Sequence, residues 1–224
     1  MKSTKQLFIY LGLSILEYEC LANYISNLVF CNFLNLTIPY KFLGFFSTNF
    51  VTTTCVYGGA VNLVCRLCSS LFGFNTDCYG FLNDMYYHLS ILSPCRVLIV
   101  GAGGAFSNII SVILTLKRFS IYLYNRTLAK YSVSLLRCFS IQLYTWGVFV
   151  NVIINTIPCI SFYNLLLVNP ILVSSRSYVY DITYGCCNPL AYLFGFYFFG
   201  FGMLYKQACE NFKVYNERFG FKVS

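Results

Sequence analysis

Charge is scarce in this 224-residue chain, which holds seven Asp and Glu, 15 Lys and Arg, and one histidine, His88. The single histidine leaves no multi-histidine metal site and sets aside His-based triads. Proton chemistry therefore falls to Lys, Asp, Glu, Tyr or Cys, and His88, in DMYYHLS, reads as a partly exposed helix residue. No basic run interleaved with aromatics marks a nucleic-acid groove. The net charge of +8 is spread along the chain, and would suit a phosphorylated ligand or an anionic surface. Near Met1 we read no short basic and apolar leader with a small-residue cleavage site. The 12 cysteines are accordingly expected as reduced thiols in a cytoplasm. One CxxC occurs, Cys65-Arg66-Leu67-Cys68, but Cys55 and Cys78 stand at spacings unlike common zinc frameworks, so buried thiols are expected there.

Hydrophobic residues, by contrast, make up 58% of the chain and its mean hydropathy is +0.67, values that point towards lipid. The stretch VLIVGAGGAFSNIISVILTL, Val97 to Leu116, poses the question most sharply, since it carries no charge. Parallel strands covered on both faces also read as unbroken apolar runs, so hydropathy alone does not decide. The glycines do: Val97 to Val100 form a β-type run, and Gly101, Gly103 and Gly104 follow at once. A strand that ends in a glycine turn and opens a helix lets backbone approach a pyrophosphate at the helix N-terminus. Asn108, Asn155 and Asp181 would also sit in or beside any proposed spans, which argues against a multi-span membrane protein.

Other short apolar runs, LFIYLGL, FLNLTI, AVNLVCRL, SIYLYN, VNVIINTIP and SYVYDITY, have strand length and composition. Between them lie segments of helical length, Ala105 to Lys117 and Thr127 to Phe139. Such alternation predicts an α/β chain with parallel sheet. After SIYLY comes Asn125-Arg126-Thr127, where an NAD-binding unit usually places an acid on the ribose hydroxyls. Arg126, with Lys130 a turn further on, would instead attract a 2′-phosphate, so the expected cofactor is NADP. Lys41, at the end of FLNLTIPYK, follows a strand and a Pro-fixed turn, a place from which an ammonium can enter a cleft and act in acid/base work. Asn62 and Asp77 lie at polar tips of two later segments, and Asp77 is a candidate partner for Lys41.

The series LNLTIPYK, GAVNLV, GFNTDCYGFL, VLIVGAGGA, LYNRTLAK, VIINTIP, YVYDITY and GFGMLYKQA resembles the ordered motif set of shikimate dehydrogenase, from about Leu7 to about Tyr215. The resemblance implies reduction of 3-dehydroshikimate to shikimate with NADPH, and its reverse, on the route to aromatic amino acids. It implies Lys41 and Asp77 as the catalytic pair, with Thr37, Asn62, Asp77, Tyr184 and Gln207 towards the substrate. Gly101, Gly103, Gly104, Ala105, Asn125, Arg126, Thr127, Lys130, Gly200 and Met203 would serve the cofactor. It also implies two α/β domains facing each other across a cleft. Residues 1–81 would form the substrate-binding domain, with a C-terminal helix in 202–224 packing back on it, and 82–201 a Rossmann-like NADP-binding domain. A cytoplasmic monomer or homodimer acting on a small molecule, without nucleic acid or membrane, completes the expectation.

Departures from the motif set fall in definite places. The family's opening strand and its substrate-binding serine pair are not found before FLNLTIPYK, so the chain is expected to start after them, with an uncovered sheet. Phe106 fills the third small position of the glycine turn and should crowd helix against strand, and Phe106-Ser107 replace an Arg common there. Ile157 stands for a Thr, Cys159-Ile160-Ser161 for a Gly-Met ending, and the loop GCCNPL after Tyr184 is one residue short. A relic of this fold that binds NADP with little turnover is the alternative expectation.

Overall fold

A computed structural model describes residues 33–37, 40–89, 94–103, 105–116, 119–126, 140–145, 147–168, 173–183 and 194–219. The expected strand LFIYLGL and helix Thr127 to Phe139 lie outside these residues.

The first part of the fold is a four-stranded sheet. It contains β1 (Phe33–Asn35), β2 (Phe50–Val51), β3 (Leu63–Leu67) and β4 (Ser70–Phe74), in the order β1-β3-β4-β2. β3 and β4 are joined by a two-residue turn, Cys68-Ser69, and pair antiparallel, while β2 lies parallel to β4. Helices α1 (Lys41–Ser47) and α2 (Thr53–Gly58) connect them. Leu36, Leu43, Cys55, Val61, Val64 and Leu71 form the core on one face of this sheet. The CxxC is divided by this geometry. Cys65 is buried on β3 and Cys68 is exposed in the turn with φ +54°, and neither is in a disulfide. Among the described residues no three His, Cys, Asp or Glu side chains converge as a metal site.

Helix α3 (Thr76–Leu89) leads into a second sheet of six parallel strands: β5 (Cys95–Val100), β6 (Phe119–Tyr124), β7 (Gln142–Leu143), β8 (Val150–Asn155), β9 (Val173–Asp181) and β10 (Phe196–Phe199). Their order, β10-β9-β8-β5-β6-β7, runs outward in both directions from β5 and β8. That is the doubly wound arrangement, whose switch point opens a crevice beyond the carboxyl ends of β5 and β8. The stretch from Val97 resolves into strand, turn and the ten-residue helix α4 (Phe106–Thr115). At about 1.5 Å per residue such a helix is near 15 Å long, half a bilayer's hydrocarbon thickness. Among the described residues no helix is long and apolar enough to cross a membrane. The apolar character is accounted for by burial: Leu98, Ile99, Val100 and Ile109 are all fully buried. Phe106, expected to crowd the helix, is 2% exposed and belongs to the core cluster with Ile99, Ile110 and Tyr180.

Helices α5 (Cys159–Val168) and α6 (Phe201–Phe219) complete the described elements, and α6 packs along α3. The close crossing needs Gly80: a Cβ there would lie 2.6 Å from the Met203 carbonyl oxygen and 2.9 Å from the Gln207 nitrogen. α3 also carries a buried acid that the sequence reading passed over. Asp84, 2% exposed, accepts from the Tyr180 hydroxyl at 2.6 Å and stands 3.5 Å from His88 Nε2. Burial, with Asp84's hydrogen bond and charge behind it, pushes the Tyr180 hydroxyl far up, so it stays a donor. His88 is a partly exposed helix residue, as read from DMYYHLS, and stacks on Phe198 with ring centroids 4.4 Å apart. Asp84→Ala leaves the buried Tyr180 hydroxyl unpaired and opens a void. It is expected to cost roughly 2–4 kcal/mol, measured by urea unfolding. A change under about 0.5 kcal/mol would show that the carboxylate contributes nothing there.

Candidate active site

Asp77 enters the site because Asn75-Thr76 end β4 and open α3. The first N–H groups of a helix have no partner within it, and here a side chain from another segment supplies one. Asn62 Oδ1 accepts from the Thr76 amide at 2.7 Å, and Asn62 Nδ2 donates to Asp77 Oδ1 at 3.0 Å. Asn62 is itself fixed through its backbone, its carbonyl accepting from Leu36 N at 2.6 Å and its amide donating to Phe74 O at 3.1 Å. The Thr76 hydroxyl donates to Asn211 of α6 at 2.6 Å, which fastens the C-terminal helix to the same turn.

Lys41 follows β1 and the turn at Tyr40 and takes the first position of α1, with its carbonyl accepting from Val61 N at 2.9 Å. Its ammonium donates to Asp77 Oδ2, with side-chain exposures of 20% and 5% for Lys41 and Asp77. The pair is thus half open on the lysine side and closed on the carboxylate side. The Asp77 carboxylate lies in the first turn of α3, where the helix dipole favours negative charge. Asn108 of α4, 3% exposed, donates to the same Oδ2 at 3.3 Å. The next residue, Cys78, is no rival nucleophile: burial pushes its thiol up to about 12, with Asp77's charge adding to the rise against a Ser111 hydrogen bond.

Beyond β5 and β8 lies a crevice of about 590 Å³ at the switch point of the parallel sheet. Gly101, Ala102 and Gly103 form one wall, Asn125 and Arg126 the end, and Thr156 to Pro158 the other wall. Gly101 is required by its backbone, φ +97°, and by space, since a Cβ there would come 2.6 Å from Thr156 Oγ1. Thr156 closes the turn by donating from both its amide and its hydroxyl to the Val100 carbonyl, each at 2.9 Å. Arg126 is exposed at the end of β6, and Gly103 has open space above it. A glycine turn, a helix N-terminus and an arginine are the donor set that a dinucleotide phosphate needs, so the crevice fits the expected cofactor.

The remaining expected site residues divide. Thr37 is exposed after β1, with its carbonyl accepting from Tyr40 N at 2.8 Å. Gln207 lies on α6 at the Gly80 crossing, one turn along α3 from Asp77. Ala105 precedes α4 and Met203 lies on α6, and both pack against the core of the larger sheet. Gly200 follows β10 and lies against the Ile182 backbone. None of these last three lines the crevice. Gly104, Thr127, Lys130 and Tyr184 lie outside the described residues. Four side chains bound into the Asp77 network were absent from the expected set: Asn75, Thr76, Asn108 and Asn211. Asn75 and Thr76 flank Asp77 in GFNTDCYGFL and could have been found there; nothing local marks Asn108 or Asn211.

No family model matches the chain. Individual relatives do. It is 31% identical over 194 residues to a shikimate dehydrogenase (NADP(+)) of Vibrio campbellii, covering 81% of this chain and 70% of that protein. It is 30% identical over 195 residues to the protein of the same name from Legionella pneumophila, covering 83% and 73%. The crystal structure of shikimate dehydrogenase from Aquifex aeolicus superposes with a TM-score of 0.74 at 27% identity, over 92% of this chain and 78% of that one. At 21% identity, the Thermus thermophilus enzyme, crystallised with NADP(H) and shikimate, shares the fold with a TM-score of 0.69, over 90% and 79%. Motif order, a doubly wound sheet with its crevice, and these identities agree, and the chain belongs to the shikimate dehydrogenase family.

Proposed function

We propose that this chain interconverts 3-dehydroshikimate and shikimate, using NADPH and NADP. The observation that carries the reading is the Lys41–Asp77 pair at the N-terminus of α3, tied by one carboxamide to the helix that leaves the glycine turn. Bound in the crevice, the cofactor supplies or accepts the hydride. Lys41 does the proton work. As hydride reaches the carbonyl carbon, negative charge grows on the oxygen, and the ammonium donates its proton there to leave a hydroxyl. Asp77 holds the ammonium in place and accepts from the hydroxyl that forms. In reverse, neutral Lys41 takes the hydroxyl proton as hydride leaves the carbon.

Asn62, Thr37, Gln207 and Tyr184 are assigned to the polar ring of the substrate, and Arg126 with the glycine turn to the NADP phosphates. Gly104, Asn125, Thr127 and Lys130 are assigned to the cofactor as well, and Ala105, Gly200 and Met203, which do not line the crevice, to the part of the cofactor that reaches beyond it. The proposed division has residues 1–81 and α6 serving substrate and 82–201 serving cofactor; the two separate sheets support it. Among the described residues no cysteine is in a disulfide, which fits a reducing cytoplasm, and the chain is assigned as a monomer or a homodimer. Purified protein given NADPH and 3-dehydroshikimate should lose NADPH absorbance with formation of shikimate. Cofactor binding without loss of absorbance would replace the enzyme by an NADP-binding relic.

A further inference from the structure

α4 carries an asparagine that the reaction as described leaves without a task. FSNIISVILT is otherwise an apolar helix, and an amide buried there without partners costs roughly 2–7 kcal/mol. Asn108 is 3% exposed, and its amide nitrogen and its carbonyl oxygen both have partners. Its Nδ2 donates to Asp77 Oδ2 at 3.3 Å and its Oδ1 accepts from Asn75 Nδ2 at 2.8 Å. The carboxamide can face only one way, because an ionised carboxylate accepts and never donates. Asn75 is fixed in turn, donating to Ala60 O at 3.2 Å and accepting from Cys78 N at 3.4 Å. Asp77 therefore takes donors from three elements: Lys41 of α1, Asn62 before β3, and Asn108 of α4. Only Asn108 comes from the nucleotide helix, and it shares with Lys41 the oxygen that orients the ammonium.

We propose that Asn108 is a positioning residue that holds the Asp77 carboxylate, and through it the Lys41 ammonium, in register with the cofactor crevice. The inference rests on the function proposed above for its catalytic meaning. It acts through Asp77 and touches neither substrate nor cofactor. Without that donor the carboxylate is free to turn, and the ammonium paired with the same oxygen turns with it.

Three variants test this: Asn108→Leu, which keeps shape without the donor; Asn108→Asp, which donates only while protonated; and Gly58→Ala, whose Cβ would lie 2.9 Å from Asn108 Oδ1 and push the carboxamide aside. Asn108→Leu is expected to lower kcat tenfold or more, with NADPH affinity within about threefold of the parent. Asn108→Asp should approach parental activity at low pH and lose it as pH rises and the new carboxyl ionises, and Gly58→Ala should resemble Asn108→Leu in weaker form. A lower melting temperature with parental kcat and pH profile would overturn the proposal. A readout that needs no turnover separates it from the parent reading. After reductive methylation with 13C-formaldehyde, the Lys41 signal, identified by its loss in Lys41→Arg, reports the surroundings of the ammonium. In Asn108→Leu the chemical shift of that signal should move away from the parent's, because the carboxylate that holds the ammonium loses its anchor on α4. A Lys41 chemical shift equal to the parent's in both residue-108 variants sinks the inference whether or not the unaltered chain turns over.

Discussion

Lys41→Ala is expected to lower kcat for 3-dehydroshikimate reduction by about 10²- to 10⁴-fold, the range of a positioned general acid, while NADPH binds as in the parent. The cofactor crevice is lined by other segments altogether, so truncation of Lys41 does not reach it. The fold should survive, because the buried Asp77 carboxylate keeps Asn62 and Asn108 as donors and the N-terminus of α3 behind it. Lys41→Arg separates charge from proton transfer. Guanidinium preserves the ion pair but does not give up a proton near neutral pH, so this variant should be folded and still lose most of its turnover. Asp77→Asn keeps the size of the side chain and removes the charge that holds the ammonium, with a loss of similar order. NADPH absorbance followed at saturating substrate gives kcat, and fluorescence titration gives cofactor affinity. Parental kcat in Lys41→Arg would move the proton to another donor.

How far the sequence reveals this site depends on whether the signal is local. β5, β6, β8 and β9 were legible because covered parallel strands are short continuous apolar runs bounded by turn residues, and VLIV and VIIN are of that kind. The glycine turn was legible for a backbone reason, the positive φ at Gly101. β2, with two residues, and β4, with a glycine inside SLFGF, give too little pattern to read. Lys41 does follow a strand, β1, but the short helix α1 that it opens, KFLGFFS, was not read from the sequence. Asp84 resembles any solvent-facing acid on a helix, and it is distant groups, the Tyr180 hydroxyl 96 positions on and the backbone at Gly202, that lie against it. The same holds for Thr76 and Asn211, 135 positions apart. Long-range polar pairing leaves no periodicity in a single sequence, whereas burial does.

Arg126→Glu should weaken NADPH binding by roughly 10²-fold or more and leave NADH binding equal or improved. Arg126 lies at the end of β6, exposed, at the rim of the crevice opened by the glycine turn. A charge-assisted bond from guanidinium to a phosphate contributes about 1.5–3 kcal/mol, which is about 10- to 150-fold in affinity. Reversing the charge removes that bond and adds repulsion of the phosphate, while a carboxylate at the end of this strand can accept from ribose hydroxyls when the phosphate is absent. The preference should also shrink as salt rises, since a pair at an exposed rim is screened over about 8 Å at physiological ionic strength. Because the side chain packs into no core cluster, the melting temperature of the variant should stay within a degree or two of the parent. The decisive quantity is the ratio of the two cofactors' dissociation constants. If Arg126→Glu and the parent give the same ratio, phosphate selection does not reside in this arginine.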